Sequence, residues 1–484
     1  MIVFSCNLIY NIFMNIGKKF RIYPTREQIK ILSQWIGHQR FIYNAKVQED
    51  RYFRRFKRRS LSLVGEEVPC DQKYSQFISE DTTFLKGVLS EILRNGAYKW
   101  RTAYQRFFAK TAKGRPTIQK KSGRQAVMIT KELFTFERTG LDTAVINLGT
   151  RKHPVGAIQV KTHLEYSVPN SISISVNGGQ WHVSFSNEDE APVATETELL
   201  VALQHLDEEQ LANVADGFDR NVVIPVQSSN GVSFDFSSEQ KKSIQKALDG
   251  KVKWQRRFAR RLKGSSNRRK AVRRVGRYDR KIADIRNDFA HKTSRTMVDA
   301  PVSLLVFEDL KIKNMTASAE GTVEEPGKNV RQKAGLNRSI LNSCWGNVKT
   351  YTQYKGLKKN KLTIVVPAHH SSQECSRCGF THQDNRPSQA EFICQDCGFV
   401  CNADLNASLV IKKRGIRAVL DNEVSIKVPK SVAFTKTSAR RAGAVQTGAS
   451  APTPVERVSA VPAAKPVRSS RLKQETPTRT AMAV

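Results

Sequence analysis

The sequence predicts a multidomain α/β protein. Two continuous apolar runs, Val302-Ser-Leu-Leu-Val-Phe307 and Leu362-Thr-Ile-Val-Val366, read as strands buried on both faces, as in a sheet covered by helices. Ile172, Ile174 and Val176 alternate with polar residues, as do Trp181, Val183 and Phe185 beyond the turn Asn177-Gly-Gly179. That pattern is an antiparallel hairpin in a separate β-rich unit. Helical periodicity fills much of the remainder. A chain of 484 residues suits two to four domains, and 39% hydrophobic residues can build several cores.

Residues 1–17 form an N-terminal extension that the fold can dispense with, and Met14 is an alternative start. Met1 to Asn15 carry no charged side chain, yet no basic segment precedes them and no small-residue cleavage site follows. Lys18-Lys-Phe-Arg-Ile-Tyr23 reads as a short basic strand. Pro24-Thr-Arg-Glu27 then opens a helix with Ile29, Leu32, Trp35 and Ile36 on one face. Helical patterns continue through the basic Arg51–Arg59 and from Phe84 to Phe108. In the latter, Trp100, Tyr104, Phe107 and Phe108 suit core packing better than base stacking. The loop from Lys113 to Arg124 suits phosphate contact or plain solvation. Asn187-Glu-Asp-Glu190 reads as a linker.

Val222, Val223, Ile224 and Val226 read as a strand beside Asp216 and Asp219. Ser228-Ser-Asn-Gly231 turns into a second strand, Val232–Phe236. Two adjacent strands with an acid at the first is how an RNase-H-type sheet begins. Lys251 to Arg286 holds sixteen Lys or Arg against two Asp, with Trp254, Phe258 and Leu262 as an apolar stripe broken by Gly264-Ser-Ser-Asn267. Two long basic helices in a hairpin account for this, and so one-sided a charge favours an anion-facing surface. Residues 311–338 read as a mobile loop, and Asn337–Lys355 as a helix. A helix continues past Asp404 through Leu409 and Ile411. From about Ala433 the composition collapses to Ala, Thr, Ser, Pro and Arg, a disordered tail.

The net charge of +36 makes a polyanion the expected partner, nucleic acid ahead of a membrane surface. No run is long enough to span a bilayer. Cys375-Ser-Arg-Cys378, fifteen intervening residues and Cys394-Gln-Asp-Cys397 have the spacing of a tetrahedral four-thiolate Zn²⁺ site, with Gly379 and Gly398 following the pairs. Such a site is closed to chemistry and serves as scaffold, and Cys401 is a bystander. The metal pattern fits a reducing compartment, the cytoplasm.

Three acids adjoin strand or helix ends: Asp219, Glu308 and Asp404. Together they would repel, so they need divalent cations, and oxygen donors suit Mg²⁺. Two such ions about 3.5–4 Å apart could activate water and stabilise a leaving phosphodiester oxygen, with Asp219 bridging them. Spacing alone does not single these three out from the 44 acids of the chain.

Several segments resemble the TnpB family, transposon-encoded RNA-guided nucleases related to type V CRISPR effectors. They are Lys19-Phe-Arg-Ile-Tyr-Pro-Thr25, Gly217-Phe-Asp-Arg220, Phe307-Glu-Asp-Leu-Lys-Ile-Lys-Asn-Met315, Gly327-Lys-Asn-Val330, Lys333-Ala-Gly-Leu-Asn-Arg338, Ser372-Gln-Glu-Cys-Ser-Arg-Cys-Gly379 and Asn402-Ala-Asp-Leu-Asn-Ala407. The resemblance spans roughly Lys18 to Lys413. It implies a RuvC-like RNase H fold with an inserted zinc ribbon, a β-barrel wedge domain and a helical recognition domain. The implied boundaries are 18–23 for the first wedge strand, 24–111 for recognition and 112–192 for the wedge barrel. The nuclease domain with its basic hairpin takes 193–372, the zinc ribbon 373–398, the last nuclease segment 399–432 and the tail 433–484.

The resemblance implies catalytic, Mg²⁺-holding Asp219, Glu308 and Asp404, in an order unlike that of integrase-type transposases. It also implies a guide RNA from the transposon end, double-stranded target DNA cut beside a short motif, and a companion transposase acting on the same element. One position departs: where the family usually has Gly two residues after its first Asp, this chain has Asn221, expected to tolerate a left-handed turn. Asp216 is a rival first acid, and Asp309 a structural neighbour of Glu308. Two other functions stay open, a nuclease-inactive RNA-guided repressor and a guide-free DNA-binding accessory factor of transposition.

Overall fold

The computed structural model describes residues 15–65, 68–188, 194–321 and 325–424. The first strand, β1 (Asn15–Tyr23), leads into helix α1 (Arg26–Tyr52). Thr25 caps that helix: its hydroxyl accepts from Gln28 N, and its own N–H donates to the Gln28 side chain. A π-helical stretch, Phe53–Lys57, carries α1 into α2 (Arg58–Leu63), and α3 (Ser90–Phe108) packs back along α1. Six further strands follow: β2 (Gln125–Thr130), β3 (Phe134–Arg138), β4 (Thr143–Gly149), β5 (Pro154–Lys161), β6 (Ser171–Asn177) and β7 (Gln180–Glu188). They join β1 in a seven-stranded antiparallel sheet of order β2-β6-β7-β1-β5-β4-β3. Alternate residues from all seven strands, from Phe20 to Phe185, meet in one core with Leu32, Trp35 and Ile36 of α1.

The second sheet has a different logic. Short helices α4 (Glu196–Gln204) and α5 (Glu208–Val214) lead into β8 (Ala215–Asp219), β9 (Val226–Ser228) and β10 (Ser233–Phe234). Helices α6 (Ser238–Ala259) and α7 (Ser266–Asp299) form the basic hairpin. Then come β11 (Leu304–Glu308), α8 (Ile312–Met315), α9 (Val330–Asn342), α10 (Trp345–Leu357) and β12 (Leu362–Val366). The sheet order is β10-β9-β8-β11-β12; β8, β11 and β12 are parallel, and β9 and β10 turn antiparallel. A two-stranded ribbon, β13 (Glu391–Ile393) and β14 (Val400–Asn402), precedes the last helix, α11 (Ala403–Leu420).

Helices cover both faces of the five-stranded sheet. Leu304 and Val306 face Ile411, Ile416 and Val419 of α11, whereas Leu305 and Phe307 face Phe289 and Met297 of α7 and Val348 of α10. Helix α11 lies unusually close. A Cβ on Gly217 would meet Ser408 O at 2.3 Å, and one on Gly415 would meet Val306 Cγ2 at 2.4 Å.

Several expectations need correction. Val222–Ile224 is a loop, because β8 is the stretch Ala215–Asp219 itself; Pro225 lacks an N–H for a ladder, and Val223 is exposed. The helix expected from Phe84 begins at Ser90, after the 3-10 turns Glu80–Leu85. Trp100 and Tyr104 are core, but Phe108 is 63% exposed. Part of the 311–338 loop is ordered as α8 and the start of α9, where Lys333 donates to Met315 O and Asn337 to Thr316 O. The helix expected over Asn337–Lys355 is two helices, broken at Cys344, whose φ is +61°. Strand β7 continues to Glu188, into the expected linker; the rest of that linker, residues 1–14 and the tail lie outside the described residues.

Candidate active site

Register alone brings the first two acids together. In the parallel pair β8 and β11, Val306 is opposite Gly217 and Phe307 opposite Phe218. Asp219 and Glu308 are the next residues, at the C-terminal ends of both strands. Side chains alternate across a strand, so both acids share the face of Leu304 and Val306, on which α11 packs. On the opposite face Phe218 and Phe307 stack with ring centroids 4.9 Å apart.

The third acid arrives with α11. Asn402 caps that helix, its side chain accepting from Asp404 N at 3.0 Å and Leu405 N at 3.1 Å. Asp404 therefore occupies the first turn, where the helix dipole favours an anion. All three acids are more than half buried, Glu308 at 5% and Asp404 at 8% exposure. Burial and the charges of Glu308 and Asp404 push the Asp219 carboxyl up to about 8. Burial likewise raises Glu308, against the pull of Arg220.

Three residues that the sequence reading missed as site members complete the cluster. The Arg220 guanidinium donates to Glu308 O, and its backbone N–H donates to Glu308 Oε1 at 3.3 Å. Asn221 Nδ2 donates to Asp404 Oδ1 at 2.8 Å. Arg386 also donates to that oxygen, at 3.3 Å, and to Gln389 O at 2.8 Å. Arg220 and Asn221 adjoin Asp219 in sequence, which was the available signal; nothing local marked Arg386. The left-handed turn expected at Asn221 is not there: its backbone is absent from the positive-φ residues among those described. Asp216, the rival first acid, accepts from Ser228 Oγ at 2.8 Å and Ser229 Oγ at 2.7 Å. Those bonds account for a buried carboxylate without calling on the cluster.

The four cysteines come together as their spacing requires. Sγ of Cys375 is 3.7 Å from that of Cys397, and Sγ of Cys378 is 3.6 Å from that of Cys394. All four sulfurs lie within 4.8 Å of one another. Sulfurs about 2.3 Å from a tetrahedral metal would be about 3.8 Å apart, so the group fits one ion. Gly379 and Gly398 adopt φ of +84° and +66°, turning each knuckle back on itself. Cys401 lies outside the group. Among the described residues these sulfurs are the only set of three or more candidate ligand atoms packed so tightly; the three carboxylates are neighbours but do not crowd onto one point.

The ribbon is tied to the helix that carries Asp404. Asn406 donates to Glu374 O at 2.7 Å and accepts from Ser376 N at 2.9 Å. Arg414 donates to Glu374 Oε2, Pro367 O and His369 O. The cysteine ribbon thus fixes where α11 begins.

Comparison with known proteins bears on the same regions. Residues 14–52 match a family model described as "Helix-turn-helix domain", 223–319 one described as "Probable transposase", and 345–411 "Cas12f1-like, TNB domain". In this chain the described part of the first match is one strand and one helix. The chain is 30% identical over 411 residues to "Putative RNA-guided DNA endonuclease InsQ" of Escherichia coli K12, covering 82% of this chain and 91% of that protein. It is 28% identical over 155 residues to "CRISPR-associated endodeoxyribonuclease Cas12f1" of Sulfoacidibacillus thermotolerans, covering 32% of this chain and 33% of that protein. A solved Cas12f1–sgRNA–target DNA complex superposes with a TM-score of 0.49 at 12% identity, over 83% of this chain and 99% of that one. The chain belongs to the TnpB family.

Proposed function

We propose that this chain is an RNA-guided, Mg²⁺-dependent DNA endonuclease that cuts double-stranded DNA beside a short motif. The observation that carries the reading is the convergence of Asp219, Glu308 and Asp404, from three remote segments, on one face of the five-stranded sheet. The sheet order, with three parallel strands and two antiparallel ones, supports a RuvC-type RNase H fold, and the single core shared by seven antiparallel strands supports a wedge barrel. Zn²⁺ is the metal of the four thiolates.

The buried Asp219 carboxyl, whose proton affinity burial and the charges of Glu308 and Asp404 raise, belongs to a donor set that a divalent cation would relieve. Asp219, Glu308 and Asp404 would hold the magnesium, and oxygen donors suit it. When bound, a magnesium pair supplies water activation and charge stabilisation at the leaving oxygen. The protein's own residues do the rest. Arg220 holds Glu308 through its backbone carbonyl and carboxylate, and Arg386 places a positive charge beside Asp404.

Guide RNA and target DNA would lie on basic surface. A groove of about 1500 Å³ is lined by Lys18, Lys19, Lys99, Arg106 and Arg124. Base pairing would supply sequence specificity while the protein grips backbone and duplex shape. A companion transposase and a cytoplasmic setting complete the proposal. Among the described residues no helix is long and apolar enough to cross a membrane.

The test is cleavage of plasmid DNA by the chain purified with its co-expressed RNA. Mg²⁺-dependent linearisation that follows the guide sequence is expected. Guide-independent cutting, or cutting undiminished in Glu308→Ala, would overturn the proposal.

A further inference from the structure

We infer that Asn221 is a positioning residue that aims the Asp404 carboxylate, a role resting on the reading of Asp219, Glu308 and Asp404 as metal-holding. Asn221 is gripped at three points. Its Nδ2 donates to Asp404 Oδ1 at 2.8 Å. Its Oδ1 accepts from Val222 N at 2.6 Å. Its backbone carbonyl accepts from Trp345 Nε1 at 3.0 Å, and that indole is 4% exposed at the start of α10.

The bonds fix which way the amide points. Reversing it would set the amide oxygen against the carboxylate and the NH₂ group against the Val222 N–H, losing both contacts. The backbone at Asn221 is not left-handed, so the residue is not there to permit a turn. What it contributes is the side chain.

That side chain reaches from the segment of the first acid to the helix of the last. Asn221 lies two residues beyond Asp219, and Asp404 opens α11. One short loop therefore carries one carboxylate and orients another. Both Asn221 and Arg386 bond Oδ1 of Asp404, and no hydrogen bond among the described residues takes Oδ2. Oδ2 is then the oxygen that a cation would take. The amide also differs from Arg386 in kind: a neutral donor fixes the carboxylate without cancelling its charge. Partners of this sort, one step removed from a metal, commonly alter metal affinity about 10–100-fold.

The experiment titrates Mn²⁺ alone into the full, zinc-loaded chain, free of nucleic acid, and reads free Mn²⁺ by electron paramagnetic resonance. Asn221→Ala should weaken Mn²⁺ binding about tenfold, with zinc content unchanged. Cleavage at limiting Mg²⁺ should fall and recover at high Mg²⁺. Trp345→Phe keeps an aromatic side chain, though a smaller one, and removes the donor to the Asn221 carbonyl, so it should shift Mn²⁺ affinity the same way by less. It serves also if Asn221→Ala does not fold. Unchanged Mn²⁺ affinity in both variants would overturn the inference. Asp404→Ala separates the two levels. If it loses Mn²⁺ while Asn221→Ala does not, only the positioning role fails. If Asp404→Ala binds Mn²⁺ as wild type does, the metal-holding reading itself fails.

Discussion

A short stretch, Cys397 to Asp404, links the thiolate cluster to the carboxylate cluster, yet the two are built in opposite ways. The thiolates come from two local turns, and their sulfurs close to within 4.8 Å. The carboxylates come from β8, β11 and α11, and topology assembles them. A closed group of sulfurs folds a ribbon and offers no open position; a spread group of acids keeps room for cations and substrate. On the proposed reading, the difference makes the thiolate cluster the scaffold for the carboxylate cluster.

The largest expected effect breaks the carboxylate cluster alone. Asp219→Ala or Glu308→Ala should lower cleavage by about 10³-fold or more, since groups acting as a unit fail together. Zinc content and RNA binding should stay at wild-type levels, checked by metal analysis and gel shift. Retained cleavage would show that the acids do not form the reacting site.

Breaking the thiolate cluster should take both down. Cys394→Ser, or zinc removal by a chelator, should unfold the ribbon and free the start of α11. Structural zinc commonly contributes about 10–16 kcal/mol to small domains. Cleavage should be lost, and proteolysis should open first between residues 373 and 405. If cleavage survives zinc loss, the ribbon does not position Asp404.

A smaller effect sharpens the choice of first acid. Asp216→Ala leaves Ser228 and Ser229 without their buried acceptor, at a cost of about 1–3 kcal/mol. Thermal melting should report that loss, while cleavage per folded molecule stays near wild type. A dead but fully stable Asp216→Ala would move the first acid from Asp219 to Asp216.

The smallest effect lies in the basic groove. Burial lowers the Lys99 ammonium to about 8. A phosphate beside it would favour the charged form, so binding takes up a proton. Polyanion affinity should therefore be full below about pH 8 and weaken as pH rises through that value. Lys99→Met should flatten this dependence in a fluorescence-anisotropy titration.

What the sequence revealed follows the same contrast. The four-cysteine group, the Ile172–Phe185 hairpin and the basic helix pair all rest on local spacing, and each stands in the structure. The three acids could be named only through resemblance, because strand register and helix docking place them. Arg386 was invisible as a site residue for that reason, and adjacency to Asp219 was the one local sign of Asn221. Asn221 looked like a backbone concession, and its use lies in a side-chain bond to a residue 183 positions away. Boundaries failed where capping or tertiary anchoring decided them, as at Cys344 and at Val222–Ile224. There an apolar run was mistaken for a strand whose true residues, Ala215–Asp219, read poorly because Gly217 is needed under α11.

The most direct measurement is a structure of the full chain soaked in Mn²⁺, phased on the anomalous signal of that metal. The account predicts anomalous density bounded by Asp219, Glu308 and Asp404, apart from the zinc peak among Cys375, Cys378, Cys394 and Cys397. Manganese found only elsewhere on the protein, with those three carboxylates bare, would contradict it.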